Sequence, residues 1–481
     1  MASVKERATA GFMWNFLEQF LSKGVVTLTT IALAWFLVPE DYALVSMLAV
    51  FISLSSALVD GGLTQALIRK KNVEEIELDT VFVLNIVLAV IIYILVYFFA
   101  VHVASFYEEE RLTSLIRVVS ISVFFQALYL VPKAILVREL EFRKQLKIVL
   151  PATVLSSALA IFLAYNGVGV WALIFQIVLN NALIAAFYLI FMQWRPQARF
   201  SIGVLREYWG FSSYILSDSL IAIPFRNMYL IVLPKYFLAG PAGLYFFADK
   251  IKEIILQLTV QTVMKITYPA FSKLQGDDIR LKEGFRSVIL CTTFLVFPIM
   301  VFVSALAPLI FDVLLPEKWL GASIFLQLMC LASIMNPLNA LNLNIMKVKG
   351  RADLVFYVGI YKKVVSILIF CFTLQFTIEI ILFGQIVASV INYIPNAFFS
   401  SRLIDYKILE QISDVLPAFL LSFFVGLLVY VGQYIINFSG IFYLLFLMLF
   451  SIVVYVTVAY LFRLRSFKLV KEIISSKLIT P

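Results

Sequence analysis

Three observations predict an all-α, polytopic membrane protein. Of 481 residues, 62% are apolar and only 14% charged, with 45 Phe, 22 Tyr and a mean hydropathy of +0.99. A soluble domain carries about 25% charged residues, and at that composition its exterior is already about half apolar. The apolar residues fall in runs of about 20, enough to cross a hydrocarbon core of about 30 Å. The basic residues gather in alternate breaks between the runs, as in cytoplasmic loops. Together these exclude a soluble enzyme, a nucleic-acid-binding module and a disordered chain.

Fourteen spans follow in order: 11–37, 42–67, 80–104, 113–136, 147–165, 168–192, 209–234, 243–267, 287–314, 319–346, 353–376, 379–400, 413–435 and 440–462. Only Tyr165-Asn-Gly-Val-Gly169 separates the fifth from the sixth, and the eighth carries Asp249, Lys250, Lys252 and Glu253. The first run holds Glu18 and Lys23 and is too long for a cleavable signal, so it is expected to stay as a span. With the N-terminus inside, twenty-eight of the 38 Lys and Arg fall in cytoplasmic segments, from Lys5 and Arg7 to Arg463, Arg465, Lys468, Lys471 and Lys477 in the tail. Only Arg111, Arg117, Lys235 and Lys318 lie opposite, where Pro39-Glu40-Asp41 and Glu108-Glu109-Glu110 are acidic. Dropping any span would invert this pattern, so an even count and cytoplasmic N- and C-termini are expected.

The loops leave no room for an extramembrane catalytic or nucleotide-binding domain, and no Gly-x-x-x-x-Gly-Lys-Ser/Thr sequence occurs. Cys291, Cys330 and Cys371 lie in separate apolar runs, and His102 is the single histidine. These suggest neither a disulfide framework nor a metal site. No cofactor, no metal and no enzymatic activity are expected.

Spans one and two resemble spans seven and eight at an offset of 199–200 residues: Gly11-Phe12 aligns with Gly210-Phe211, and Phe36-Leu-Val-Pro-Glu-Asp-Tyr42 with Tyr236-Phe-Leu-Ala-Gly-Pro-Ala242. Phe175-Gln176-Ile-Val178 aligns with Gly384-Gln385-Ile-Val387. Six helices separate the copies, so they share an orientation, as in transporters built from two bundles around a central site. The expected organisation is an N-lobe over 1–194, a cytoplasmic linker over 195–208, a C-lobe over 209–402, and a helix pair with a basic tail over 403–481.

Charges inside a span are costly and mark functional candidates. Span one carries Asn15, Glu18 and Ser22 on one face, extended by Gln19 and Lys23. Span seven carries Asp218, Ser219, Arg226 and Asn227, with Pro224 expected to kink it. Span eight carries Asp249, Glu253, Gln257, Gln261 and Lys265 at successive i+4 steps, with Lys250 and Lys252 beside them. Such a stripe should face a bundle interior or an aqueous cavity. Lys362 and Lys363 either line that cavity or snorkel to the cytoplasmic surface. Asp60 fits a local cap beside Gly61-Gly62. Asn336, Asn339, Asn342 and Asn344 fit interhelical hydrogen bonding. Arg226 lies too deep to snorkel comfortably. Deep cations outnumbering deep anions favour an anionic cargo, since phosphate is attracted far more strongly across a low-dielectric cavity than through water. Tyr214, Tyr229, Tyr245, Phe246 and Phe247 either stack on sugar faces or pack the membrane core.

The segments Asp60-Gly-Gly-Leu-Thr-Gln-Ala-Leu-Ile-Arg-Lys70, Glu139-Leu-Glu-Phe-Arg143, Tyr268-Pro-Ala-Phe-Ser-Lys-Leu-Gln275, Glu317-Lys-Trp319 and Lys349-Gly-Arg-Ala-Asp353 carry a resemblance. On them the chain resembles, to about residue 410, the Wzx-like polysaccharide flippases of the O-antigen and colanic acid type, within the multidrug/oligosaccharidyl-lipid/polysaccharide exporter superfamily. It departs from them at Gly61-Gly62, where relatives often have an aromatic followed by Gly, and at Tyr42-Ala43, where Tyr/Phe-Gly is common. The resemblance implies two six-helix lobes plus two C-terminal helices in the bacterial inner membrane. It implies transfer of an undecaprenyl-diphosphate-linked oligosaccharide from inner to outer leaflet by alternating access coupled to H+ or Na+. A polysaccharide polymerase and a chain-length regulator would be partners; nucleic acid would not. On this reading Arg226, Lys250, Lys252, Lys23, Lys362 and Lys363 meet the diphosphate. Glu18, Asp218 and Glu253 couple the ion, and Asn15, Ser219, Gln257 and Gln261 line the cavity. A lipid II flippase and a small-molecule antiporter on the same fold are the alternatives. A membrane polysaccharide polymerase is the alternative of another class, disfavoured by the short outer loops.

Overall fold

The computed structural model describes residues 4–70, 72–257, 276–435 and 440–479, with 267, 271, 272, 274 and 438 besides. Among the described residues it is helical, with no strand. Twelve helices or helix pairs are long and apolar enough to cross a membrane, thirteen if one bent pair counts as a single span. It is a multi-pass membrane protein. Thirteen of the expected spans correspond to these; the eighth is too charged, and its inner half lies outside the described residues.

Packing divides the chain into two units, Met1–Phe246 and Phe247–Pro481. The first contains α1 (Val4–Phe36), α2 (Pro39–Asp60), α3 (Leu63–Arg69), α4 (Glu75–Tyr107), α5 (Arg111–Val119), α6 (Ile121–Arg138), α7 (Phe142–Tyr165), α8 (Trp171–Phe191), α9 (Ile202–Arg226) and α10 (Met228–Tyr236). It also takes the start of α11 (Ala239–Leu256). Here α1 lies along α7, α7 and α6 against α8, and α4 against α6. Helix α2 packs on α4, α9 and α10.

The second unit contains α12 (Asp278–Leu314), a 3-10 turn (Glu317–Trp319), α13 (Ala322–Ser333), α14 (Asn336–Val348) and α15 (Ala352–Thr373). It continues with α16 (Ile378–Ile404), α17 (Ile408–Ile435), α18 (Ile441–Leu461) and α19 (Arg465–Ile479). Helix α12 is its axis, contacting α13, α17, α18 and α19, while α16 gathers α13, α14 and α15.

Local chemistry explains the ends. Pro39 opens α2 with a φ already suited to a first turn, and the Asp41 carboxylate accepts the Val38 amide at 3.2 Å. Asp277 caps α12 by accepting from the Arg280 amide at 3.0 Å. Gly167 and Gly169 take φ +76° and +64° in the turn between α7 and α8, where the sequence places the break.

Three expected spans are interrupted besides the seventh, which bends at Arg226–Asn227. The second ends at Asp60, because Gly61 and Gly62 both adopt left-handed φ and α3 starts afresh. The fourth breaks at Ser120, whose hydroxyl bonds the Ile116 carbonyl, and the tenth at Ile334–Met335. The tail, read from sequence only as basic, forms α19. The aligned turns match locally: α1 ends at Phe36 and α2 starts at Pro39, while α10 ends at Tyr236 and α11 starts at Ala239, each 200 positions on.

Candidate transport pathway

Span seven is broken where its sequence asks for it. Pro224 removes the amide that would bond one turn back, and α9 and α10 meet at Arg226–Asn227 with a bend of 41°. The Ile223 carbonyl accepts both the Asn227 amide at 3.1 Å and its side chain at 2.8 Å, closing the end of α9. Arg226 is the last residue of α9 and is exposed; among the described residues its guanidinium has no hydrogen-bond or ion-pair partner. On the same helix Asp218 is exposed and Ser219 half-buried. Tyr214 stands 81% exposed.

Helix α11 begins with a packed aromatic block. Tyr245, Phe246 and Phe247 are buried. Tyr245 stacks on Tyr229 at 6.3 Å, Phe246 meets Tyr42 at 6.4 Å, and Phe247 meets Trp319 at 4.3 Å between centroids. These three are core residues, which leaves Tyr214 as the open ring. Next along the helix, Lys252 reaches Asp249 at 2.5 Å and Glu253 at 3.4 Å. Its ammonium is thus compensated by two carboxylates. Lys250 is exposed and Gln257 half-buried; Gln261 and Lys265 lie outside the described residues.

A buried polar cluster occupies the first unit between α1, α7 and α8. Glu18 is only 8% exposed, one turn below the buried Ser22. The Tyr188 phenol lies close enough to Glu18 to feel its charge and stacks on Tyr129 at 5.8 Å. Tyr129 in turn donates to Asn181 Oδ1 at 2.9 Å. Among the described residues the Ser22 and Tyr188 hydroxyls are buried without hydrogen-bond partners, as is Gln145 Oε1 on α7. Unpaired buried polar atoms cost about 1–3 kcal/mol each, and intramembrane polar groups mark functional candidates. Asn15 lies on α1, but its side chain is outside the described residues.

The remaining candidates separate cleanly. Lys23 on α1 and Lys362 on α15 are half-buried, and among the described residues neither ammonium has a partner. Lys363 is half-buried and engaged. The Asp60 carboxylate accepts the Thr64 amide at 3.3 Å, a local cap. Asn396 donates to Asn339 at 2.6 Å and Ser400 to Asn342, tying α14 to α16.

Helices α2–α4 are held against α9–α11 and the linker at both ends. At one end Gly62 lies so close to α9 that a Cβ would stand 2.9 Å from Ile215 Cβ and 3.0 Å from the Ser212 carbonyl. There Lys70 bridges Glu207 at 2.7 Å and Glu77, and those hydrogen bonds raise its ammonium well above the usual lysine range. Arg69 covers the Phe211 ring at 4.4 Å. Nearby, buried Asp79 accepts the Gln197 amide at 3.0 Å and Thr80 Oγ1 the Ser201 amide at 3.1 Å, pinning the linker to α4. At the other end a Cβ on Gly243 would overlap the Pro39 carbonyl. Tyr107 donates to the Ile231 carbonyl at 2.9 Å, and Lys235 meets Glu108 at 2.7 Å, holding that carboxyl below its usual range.

A family model described as polysaccharide biosynthesis protein matches residues 32–324. The chain belongs to this Wzx-like polysaccharide family. Among curated relatives, the teichuronic acid biosynthesis protein TuaB of Bacillus subtilis is 23% identical over 384 residues, 78% of each chain. The lipopolysaccharide biosynthesis protein WzxC of Escherichia coli is 24% identical, over 75% of this chain and 74% of its own. Among solved structures, the lipid II flippase MurJ in an inward closed conformation superposes at a TM-score of 0.73 and 15% identity, covering 95% of this chain and 99% of that one. An inward-facing multidrug resistance MATE family transporter of the MOP superfamily superposes at 0.62 and 16% identity, covering 81% and 95%. This member of the family therefore has the MurJ and MATE fold.

Proposed function

We propose that the protein is a flippase. It carries undecaprenyl-diphosphate-linked oligosaccharide from the cytoplasmic to the periplasmic leaflet of a bacterial inner membrane, by alternating access of two six-helix lobes. Fourteen spans with both termini cytoplasmic fit the distribution of basic residues. Family membership supports the cargo class. The observation that carries the site assignment is Arg226: a permanent cation, exposed at the bend of a broken span and lacking a partner among the described residues. Half-helices at a break commonly build such sites. Lys23 and Lys362 join it as uncompensated cations, with Lys250 and Lys363 in support. Lys252 contributes less, because Asp249 and Glu253 already neutralise it. Glu18 is the leading coupling carboxylate, given the unsatisfied polar atoms in its cluster; Asp218 and Glu253 are more exposed. The two sets of contacts between α2–α4 and α9–α11 serve as gates that open in turn.

The test is export of surface polysaccharide by complementation. Arg226→Ala should abolish it and Arg226→Lys should restore part of it, because a point charge replaces a bidentate fork. Full export by Arg226→Ala refutes the assignment. The long superposition on MurJ makes lipid II the competing cargo, and competition between the two lipid-linked donors in proteoliposomes separates the readings.

A further inference from the structure

The C-terminal helix offers a surface that flipping a lipid-linked sugar does not explain. Helix α19 follows α18 after a tight turn in which Arg463 takes φ +49°. It packs on α12 and α18. Its first turns are two-faced. Ser466 is buried, and Phe467, Leu469 and Val470 are half-buried; Arg465, Lys468, Lys471 and Glu472 are exposed. The three cations recur every third position, so they form one stripe. Phe467 meets Phe294 at 6.0 Å and Tyr460 at 6.1 Å.

Phe294 fixes the depth. It lies seven residues beyond Ser287, where span nine is expected to start, or about 10 Å along the helix axis. An apolar face held about 5–10 Å into the headgroup boundary is the placement of an interfacial helix. Packing on α12 also fixes the stripe in position, unlike the charges of a loose loop. Exposed Arg463 adds to it, and exposed Arg402 lines the adjoining cleft of about 630 Å³ together with Arg465. That cleft is nearly neutral, because its four cations face three carboxylates, Asp278, Glu283 and Asp405. The uncompensated charge therefore belongs to α19, where Glu472 is the one exposed acid between 463 and 472.

We propose that α19 docks on anionic phospholipid headgroups of the cytoplasmic leaflet, anchoring α12 to the membrane surface. Charge complementarity selects the occupant: clustered Lys and Arg on an amphipathic helix beside a span attract acidic lipid surfaces, each charge contributing separately. The proposal rests on the cytoplasmic orientation proposed above, and on no property of the transported cargo.

The test uses the full chain in vesicles, with Cys291→Ser, Cys330→Ser and Cys371→Ser and an environment-sensitive dye on Glu472→Cys. Brominated phosphatidylglycerol in a phosphatidylcholine bilayer should quench the dye, and added salt should weaken the effect. The combined change Arg465→Gln, Lys468→Gln, Lys471→Gln should lower the apparent affinity for that lipid about a hundredfold. Arg465→Lys, Lys468→Arg, Lys471→Arg should retain it, which separates lost charge from lost folding. Equal quenching by brominated phosphatidylcholine, or no change in the Gln variant, overturns the proposal. Transport is not the readout, so a failure here leaves the flippase reading untouched.

Discussion

Adjacent glycines at the end of α2 allow backbone strain and steric contact to be measured apart. Gly61 and Gly62 both have left-handed φ, +53° and +75°, and an alanine at either costs about 1–2 kcal/mol from that conformation alone. They differ in surroundings. A Cβ on Gly61 meets nothing nearer than 3.8 Å, whereas on Gly62 it stands 2.9 Å from Ile215 Cβ. Carbon atoms pack best at about 3.5–4.0 Å, so α2 and α9 would have to part by about 0.5–1 Å. Overpacking of that kind costs about 1–3 kcal/mol more. Gly61→Ala should therefore lose about 1–2 kcal/mol and Gly62→Ala about 2–5. Gly62→Ala should also lose export, since it wedges open one of the two proposed gates. Thermal unfolding of the purified variants and complementation of export measure both effects. Equal destabilisation by the two alanines would refute the close approach.

Other outcomes follow from single contacts. Asp79→Ala should leave the Gln197 amide without its acceptor, cost about 1–3 kcal/mol, and speed proteolysis within 195–208. Asn396→Leu should cost about 0.6–1.7 kcal/mol by stranding Asn339, read as a lower unfolding midpoint with export retained. The Lys235–Glu108 pair lowers the Glu108 pKa, so its contribution is fully present above the usual carboxylate range and is lost as pH falls through the depressed value. A Lys235/Glu108 double-mutant cycle should show the same coupling from pH 6 to 8 and none in strong acid; coupling that faded near neutrality would contradict the assignment.

Much of this was legible in the sequence because each span carries its own signal. Run length located the helices, Tyr165-Asn-Gly-Val-Gly169 located the break between α7 and α8, and Pro224 foretold the bend at Arg226. The break at Ile334–Met335 carries a weaker signal, Pro337 in the first turn of α14, whose ring cannot follow the Ser333 carbonyl within one continuous helix. Helix α19 was read only as charge, being too polar to register as a span. The pairing of Lys252 has a sequence signal of its own, since Asp249 stands three residues before it and Glu253 next to it. The Glu18 cluster was half visible. Glu18 and Ser22 share a helix face, but Tyr188 reads as one aromatic among many. Only helix packing brings them together, and packing partners leave no mark on a single chain.

The most direct test of the account is translocation of a fluorescent undecaprenyl-diphosphate-linked oligosaccharide across proteoliposomes containing the purified chain, with Arg226 intact or replaced by Ala. The intact protein should move the lipid in an ion-gradient-dependent way. Arg226→Ala should slow it about tenfold or more, the weight of a charge-assisted hydrogen bond of about 1.5–3 kcal/mol. Equal translocation by both proteins, or none by the intact one, would contradict the account.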